Sequence, residues 1–246
     1  MKTINKVALV TGGARRLGKD ISIALGKMGY DIVLNYNKTG KSVLEETISQ
    51  INETGVTVNV IKCDVSKVSE IKKMFQKINI KYKKLDLLVN NAAIFEHFDF
   101  LETNEQTFDK FINTNLKSVF FCCQEAAKIM LKSDETYNRI INIASLGGIQ
   151  NWTGYIPYSL SKIGVIKLTQ LLAKKLAPKV LVNAIAPGTI IMENDDNIKV
   201  NTEDIKKYPM KRFAKSDDLT SLLSYLAAEN NYITGQTFIV DGGKSL

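Results

Sequence analysis

Along the chain, short runs of β-branched and aliphatic residues alternate with longer stretches whose apolar positions recur at helical spacing. The short runs are Val7 to Val10, Ile32 to Leu34, Val56 to Ile61, Leu85 to Val89, Ile140 to Ile143, Val180 to Ile185 and Phe238 to Val240. Each is nearly continuous in apolar character, the mark of a strand covered on both faces rather than one with a wet side. Helix-length segments lie between the first six, as crossovers between parallel strands require. The pattern predicts an α/β chain, a doubly wound, parallel Rossmann-like sheet of about seven strands with helices on both faces. No repeat or low-complexity linker interrupts it, so residues 1–246 read as a single domain. One stretch breaks the alternation, from Thr189 to Phe213, just after the carboxyl end of a strand. Ligands bind at that end of open α/β sheets, which makes 189–213 a candidate substrate lid.

Composition then narrows the function classes. A chain of 246 residues with 45% hydrophobic content can bury one large core. No apolar run approaches the ~20 residues of a membrane span, and the N-terminus passes straight into a strand without a signal-peptide pattern. A cytoplasmic protein with no membrane partner is expected. Cys63, Cys122 and Cys123 have no paired spacing and read as core thiols. His97 is the single histidine, so a His-based metal site and a Ser-His-Asp triad are both disfavoured, and no metal is expected. The net charge of +8 raises the question of a polyanionic partner, but the cations are mostly lysines spread along the chain. Of four arginines, two are Arg15 and Arg16 in one glycine-containing loop. That concentration points to a local phosphate site and away from a nucleic-acid surface.

The loop has the context such a site needs. The first strand runs into Thr11-Gly12-Gly13-Ala14-Arg15-Arg16-Leu17-Gly18 and then a helical pattern, placing backbone amides and a helix N-terminus where a pyrophosphate binds. About twenty residues on, the second strand ends at Asn35-Tyr36, where an acidic residue would select the ribose hydroxyl of NAD. Tyr36 stands there instead, and Arg15, Asn37 and Lys38 can supply charge and donors to a 2′-phosphate. NADP(H) is therefore expected over NAD(H). Further on, Tyr158 and Lys162 sit four residues apart in an apolar-periodic segment, on one face of a helix. A phenol titrates near pH ~10, so a neighbouring ammonium that stabilises the phenolate would make it useful in proton transfer.

Taken together, these residues resemble the short-chain dehydrogenase/reductase family over essentially the whole chain. Further landmarks are Asp64, Asn90-Asn91-Ala92-Ala93, Asn115, Ser145, Pro187-Gly188 and the terminal Asp241-Gly242-Gly243. The resemblance implies a cofactor site built from Gly12, Arg15, Arg16, Leu17, Gly18, Tyr36, Asn37, Lys38, Asp64, Val65, Asn91, Ala92, Tyr158, Lys162, Pro187 and Gly188. It also implies Tyr158 as general acid in reduction, Lys162 as its tuner and ribose ligand, Ser145 as the hydroxyl orienting the carbonyl, and Asn115 as the holder of a relay water. Relatives usually form dimers or tetramers, so a homo-oligomer is expected.

Two subgroups compete for the substrate. Arg16 stands where many relatives have a second glycine. Its Arg-Leu-Gly loop is similar to that of pteridine reductases, as are Gly154-Tyr155-Ile156-Pro157-Tyr158 and the ending Asp241-Gly242-Gly243-Lys244-Ser245-Leu246. Ser145, however, takes the place of an aspartate common in pteridine reductases and suits the carbonyl reduction of 3-oxoacyl-acyl-carrier-protein reductases. Because Ser145 bears on the chemistry itself, a ketone or 3-oxoacyl thioester, free or carrier-bound, is the preferred substrate. A pterin is the alternative. Phe95, Trp152, Tyr155 and Met192 fall near strand carboxyl ends and are candidate pocket residues. A non-enzymatic NADP-binding redox sensor is a reading of another class, and the complete set of Tyr158, Lys162, Ser145 and Asn115 counts against it.

Overall fold

The structure is a computed structural model that describes residues 5–133, 137–192 and 202–246. Seven strands form one fully parallel sheet in the order β3-β2-β1-β4-β5-β6-β7. They are β1 (Val7–Val10), β2 (Asp31–Tyr36), β3 (Val58–Lys62), β4 (Leu87–Asn90), β5 (Asn138–Ile143), β6 (Val180–Pro187) and β7 (Thr237–Val240). The helices are α1 (Arg16–Lys27), α2 (Lys41–Asn52), α3 (Val68–Tyr82), α4 (Glu105–Ile112), α5 (Ser118–Met130), α6 (Ile156–Leu176), α7 (Thr202–Lys206) and α8 (Ser216–Ala228). No helix among the described residues is long and apolar enough to cross a membrane.

The side-chain period of two explains the layers. Along β1, Val7 and Leu9 enter a core shared with α3, α5 and α6, whereas Ala8 and Val10 enter the one shared with α1 and α8. All four residues are fully buried. In the middle of the sheet Asn90 donates to the Asn142 side chain at 2.8 Å, and Asn142 donates to Thr169 at 2.9 Å. Cys63, Cys122 and Cys123 are free and buried, as their spacing suggested.

The order turns back on itself between β1 and β4, so the chain leaves these neighbouring strands toward opposite sides of the sheet. A crevice opens above their carboxyl ends, where ligands bind in such sheets. Strand limits differ from the hydrophobic runs by a few residues. The run Val56 to Ile61 becomes Val58–Lys62 because Gly55, with φ +86°, is still turning the chain out of α2. Leu85 is buried ahead of β4, outside the ladder. Residues 193–201 of the expected lid lie outside the described residues. Its flanks are tied together by the bridge between Ile190 and Ala214.

Candidate active site

At the crevice, β1 gives way to a tight loop before α1. Gly12 has φ +62°, and its N–H donates to the Asn35 side chain at 3.1 Å. Asn91, just past β4, donates through its side chain to the carbonyls of Thr11 at 3.0 Å and Gly12 at 3.2 Å. The Thr11 hydroxyl accepts from the N–H groups of Asn91 and Ala92 at 2.9 and 3.1 Å. The two strand ends are thus stitched across the switch point. Gly18 is confined by this arrangement, since a Cβ there would run into the Gly12 carbonyl and lie 2.6 Å from Asn91 Nδ2. Arg16 opens α1 in the left-handed region at φ +51°, a conformation that favours glycine.

Around the loop lies a cavity of about 450 Å³. Its wall includes Gly12, Arg15, Arg16, Leu17, Gly18, Tyr36, Asn37, Lys38, Asp64, Val65, Asn91 and Ala92, so the structure gathers twelve of the predicted cofactor residues in one place. Arg15, Arg16 and Lys38 are exposed at it. Asp64 is half-buried, and burial alone would raise its carboxyl. Hydrogen bonds from Ser66 and Asn37 and the charge of Lys67 win, holding it below the usual carboxylate range. Lys110 and Thr114 also line the wall and were missed from the sequence. Their i, i+4 spacing was the available signal, but nothing local said which face of the helix met the crevice. Pro187, Gly188, Tyr158 and Lys162 stand apart from this cavity, on the β5–β6 side of the crevice. Gly188 also answers a packing need, because a Cβ would come within 3.1 Å of Asp241 Cα.

On that side α6 carries the remaining groups. Pro157 is accommodated in its first turn, and Pro178 follows its end. Its core-facing stripe is Tyr158, Ser161, Lys162, Val165, Thr169, Ala173 and Leu176, a helical spacing that puts a phenol and an ammonium in a row otherwise meant for packing. Both are buried. Lys162 Nζ donates to the Ile143 carbonyl at 2.8 Å and lies 5.8 Å from the Tyr158 ring centroid. Burial pushes the ammonium down to about 8. The Tyr158 phenol is pushed up to about 12, also by burial, with a hydrogen bond from Ser145 pulling the other way. The lowering expected from Lys162 is absent in the protein alone, where burial and the Ser145 hydrogen bond set the phenol. Ser145 follows β5 and caps the next turn by accepting from Gly147 N–H at 3.1 Å. It is strand-end cap and neighbour of the phenol at once.

Asn115 sits in a π-helical turn, Asn113–Lys117, between α4 and α5. Its side chain is spent: Oδ1 accepts from Ile94 N–H at 2.9 Å, and Nδ2 donates to the Ile94 carbonyl at 3.0 Å and to Ser161 at 3.2 Å. With its side chain engaged in this way, Asn115 has its backbone carbonyl as its other acceptor. Phe95 stacks on Tyr155 at 4.6 Å and meets Tyr158 edge-on at 4.8 Å. Trp152 meets Tyr155 at 6.0 Å and Phe95 at 6.4 Å. Three of the four candidate pocket residues thus form one aromatic wall beside Tyr158. The fourth, Met192, is buried in the core with Leu219 and Leu223 of α8.

Comparison with known proteins agrees with this fold. The family model described as enoyl-(acyl carrier protein) reductase matches residues 12–245. The chain is 36% identical to the 3-oxoacyl-[acyl-carrier-protein] reductase of Staphylococcus epidermidis over 98% of its own length and 99% of the relative's. The corresponding enzyme of Synechocystis is 35% identical over 97% of this chain and 96% of its own. Among solved structures, a variant of a Serratia marcescens short-chain dehydrogenase/reductase superposes with a TM-score of 0.91 at 28% identity, covering 98% of both chains. A metagenomic blue fluorescent protein in complex with NADPH gives 0.90 at 26% identity, again over 98% of both. With likeness of this extent in sequence and in fold, the chain belongs to the short-chain dehydrogenase/reductase family of oxidoreductases.

Proposed function

We propose that the protein is an NADPH-dependent carbonyl reductase acting on a ketone or 3-oxoacyl thioester, free or carrier-bound. The observation that carries this reading is the meeting of Ser145, Tyr158 and Lys162 in one buried group beside an aromatic wall. The loop from Gly12 to Gly18 suits a pyrophosphate, because it lines the cavity and runs into the N-terminus of α1. Arg15 and Lys38, exposed at a cavity whose β2 end carries Tyr36 in place of an acid, suit a 2′-phosphate. When bound, NADPH supplies the hydride.

The chain's own residues do the rest. Ser145 and Tyr158 hold the substrate oxygen and stabilise the charge that builds on it. A phenol kept protonated by burial is a proton donor at neutral pH, and Tyr158 gives its proton to that oxygen. Lys162 then stabilises the phenolate and passes a proton inward, with the Asn115 carbonyl as the station for a relay water. The 35–36% identity to 3-oxoacyl-acyl-carrier-protein reductases favours a thioester substrate. A second reading, pterin reduction, is favoured by the exposed ring of Phe95 beside Tyr158, a surface for a flat heterocycle. Exposed Leu160, Ile163 and Leu171 on α6 and Phe120 on α5 support a homo-oligomer. Following NADPH oxidation with a 3-oxoacyl thioester, simple ketones and oxidised pterins tests the assignment: turnover of the thioester is expected, and turnover of pterins alone would replace it.

A further inference from the structure

Beyond β7 the chain turns back on itself. Gly242 and Gly243 both take left-handed conformations, with φ +63° and +82°, and a Cβ on Gly243 would approach Pro209 Cγ to 2.9 Å. The Asp241 carboxylate accepts from the N–H groups of Gly243 at 2.9 Å and Ser245 at 2.8 Å, and Met210 N–H donates to the Gly242 carbonyl at 3.2 Å. These constraints aim one side chain. Lys244 Nζ stands 5.0 Å from the Tyr208 ring centroid and 5.8 Å from that of Trp152. Tyr208 is buried and donates to the Thr189 hydroxyl at 2.9 Å, so that side of the clamp is fixed to the chain leaving β6. Trp152 packs on Gly147, where a Cβ would meet its ring at 2.6 Å, only two residues past Ser145. A single indole therefore separates the ammonium from the turn that presents Ser145.

Two aromatic faces attract a cation but accept none of its hydrogen bonds in the way an oxyanion does. Among the described residues no carboxylate lies within ion-pair distance of Lys244. Asp204, which feels its charge, is bonded to Lys207 at 2.7 Å. We propose that Lys244 binds an oxyanion carried by the substrate, a phosphate or a carboxylate, while the substrate's carbonyl lies at Ser145 and Tyr158. The assignment rests on the carbonyl-reductase reading for the position of the reacting end. The cation itself would select acidic substrates over neutral ones at the end of the aromatic wall.

Trp152 is the chain's single tryptophan, so its emission reports on the clamp without turnover. Titration with pantetheine 4′-phosphate and with succinate as anionic probes, and with unphosphorylated pantetheine as the neutral control, is to be run on the full chain and on Lys244→Met and Lys244→Arg. At least one anion is expected to half-saturate the unsubstituted chain at about tenfold lower concentration than Lys244→Met, the loss of one charge-assisted contact. Lys244→Arg should recover most of that difference, and the neutral control should show none. A response to the phosphate alone identifies a pantetheine arm as the source of the oxyanion, and a response to succinate alone identifies a carboxylate on the acyl portion. Equal half-saturation of the unsubstituted chain and Lys244→Met by both anions would overturn the assignment. If the emission discriminates but no ketone or thioester is reduced, the carbonyl-reductase reading falls while the anion site stands.

Discussion

Lys162 carries a charge in a place where charge is costly, and that gives its ionisation a measurable sign. Its ammonium is lowered from 10.5 to about 8 by burial. Below about 8 both folded and unfolded chains hold the proton and the folded state bears the full desolvation penalty. Between about 8 and 10.5 the unfolded chain binds the proton and the folded one does not, so stability from this group rises with pH. Cys63 and Cys123, raised from 9.0 to about 12, act in the opposite direction above 9, and these contributions cancel in a difference between variants. The melting temperature of the unsubstituted chain minus that of Lys162→Met is therefore expected to increase from pH 8 to pH 10. A flat difference would show that Lys162 titrates normally. In the proposed mechanism the decisive residue is Tyr158. Tyr158→Phe removes the donor with little change in shape, and kcat for carbonyl reduction should fall ~10²–10⁴-fold, the range of general-acid contributions, with folding intact by circular dichroism. The Tyr158–Lys162 spacing was legible because a helix turns four residues onto one face. The balance between burial and charge was not legible, since desolvation depends on elements far away in sequence.

At the scale of elements, the glycine loop and the strands flanking it were the most readable part of the chain. A strand, a glycine-rich turn and a helix in succession leave few alternatives, and the loop did gather the predicted residues around one cavity. What sequence could not give was the reason for Gly18, which lies across the loop at Gly12 and across the sheet at Asn91. Gly18→Ala should cost about 1–3 kcal/mol of stability, as overpacking does, and should weaken NADPH binding. Chemical denaturation and a cofactor titration check the two effects separately. Arg16 permits the reverse experiment. It holds φ +51°, so Arg16→Gly relieves a backbone cost of ~1 kcal/mol and should stabilise the chain if the arginine's contacts contribute less than that. The π turn at Asn113–Lys117 left no trace in the hydrophobic pattern, because the buried positions Phe111, Asn115, Ser118 and Cys122 keep ordinary helical spacing across it. Met192 misled for another reason: position after a strand end predicts proximity to the crevice, but Met192 is buried in the core with residues of α8.

Over the whole molecule, charge placement matters more than its total. A net charge of +8 favours any polyanion, but in the proposed reading the choice between two nicotinamide cofactors is made where Tyr36 ends β2 and where Arg15, Asn37 and Lys38 line the same cavity. A ribose hydroxyl needs an acceptor there, and a 2′-phosphate needs charge and donors. Tyr36 supplies no carboxylate, while Arg15 and Lys38 are exposed and so can close on a phosphate without first leaving a buried partner. Replacing either by alanine is expected to raise KM for NADPH about tenfold and leave KM for NADH within about twofold, since a contact to a charged group is worth ~1.5–3 kcal/mol only when the phosphate is present. Tyr36→Asp should do more, adding a repulsive charge against the phosphate and an acceptor for the hydroxyl, and should reverse the preference in kcat/KM. Steering by the overall positive field is common to both cofactors and weakens with salt. The NADPH-to-NADH ratio, measured from 50 to 500 mM salt, should therefore persist if the local contacts select the cofactor. Collapse of that ratio to near one at high salt, with all variants alike, would assign selection to the general field instead of the end of β2.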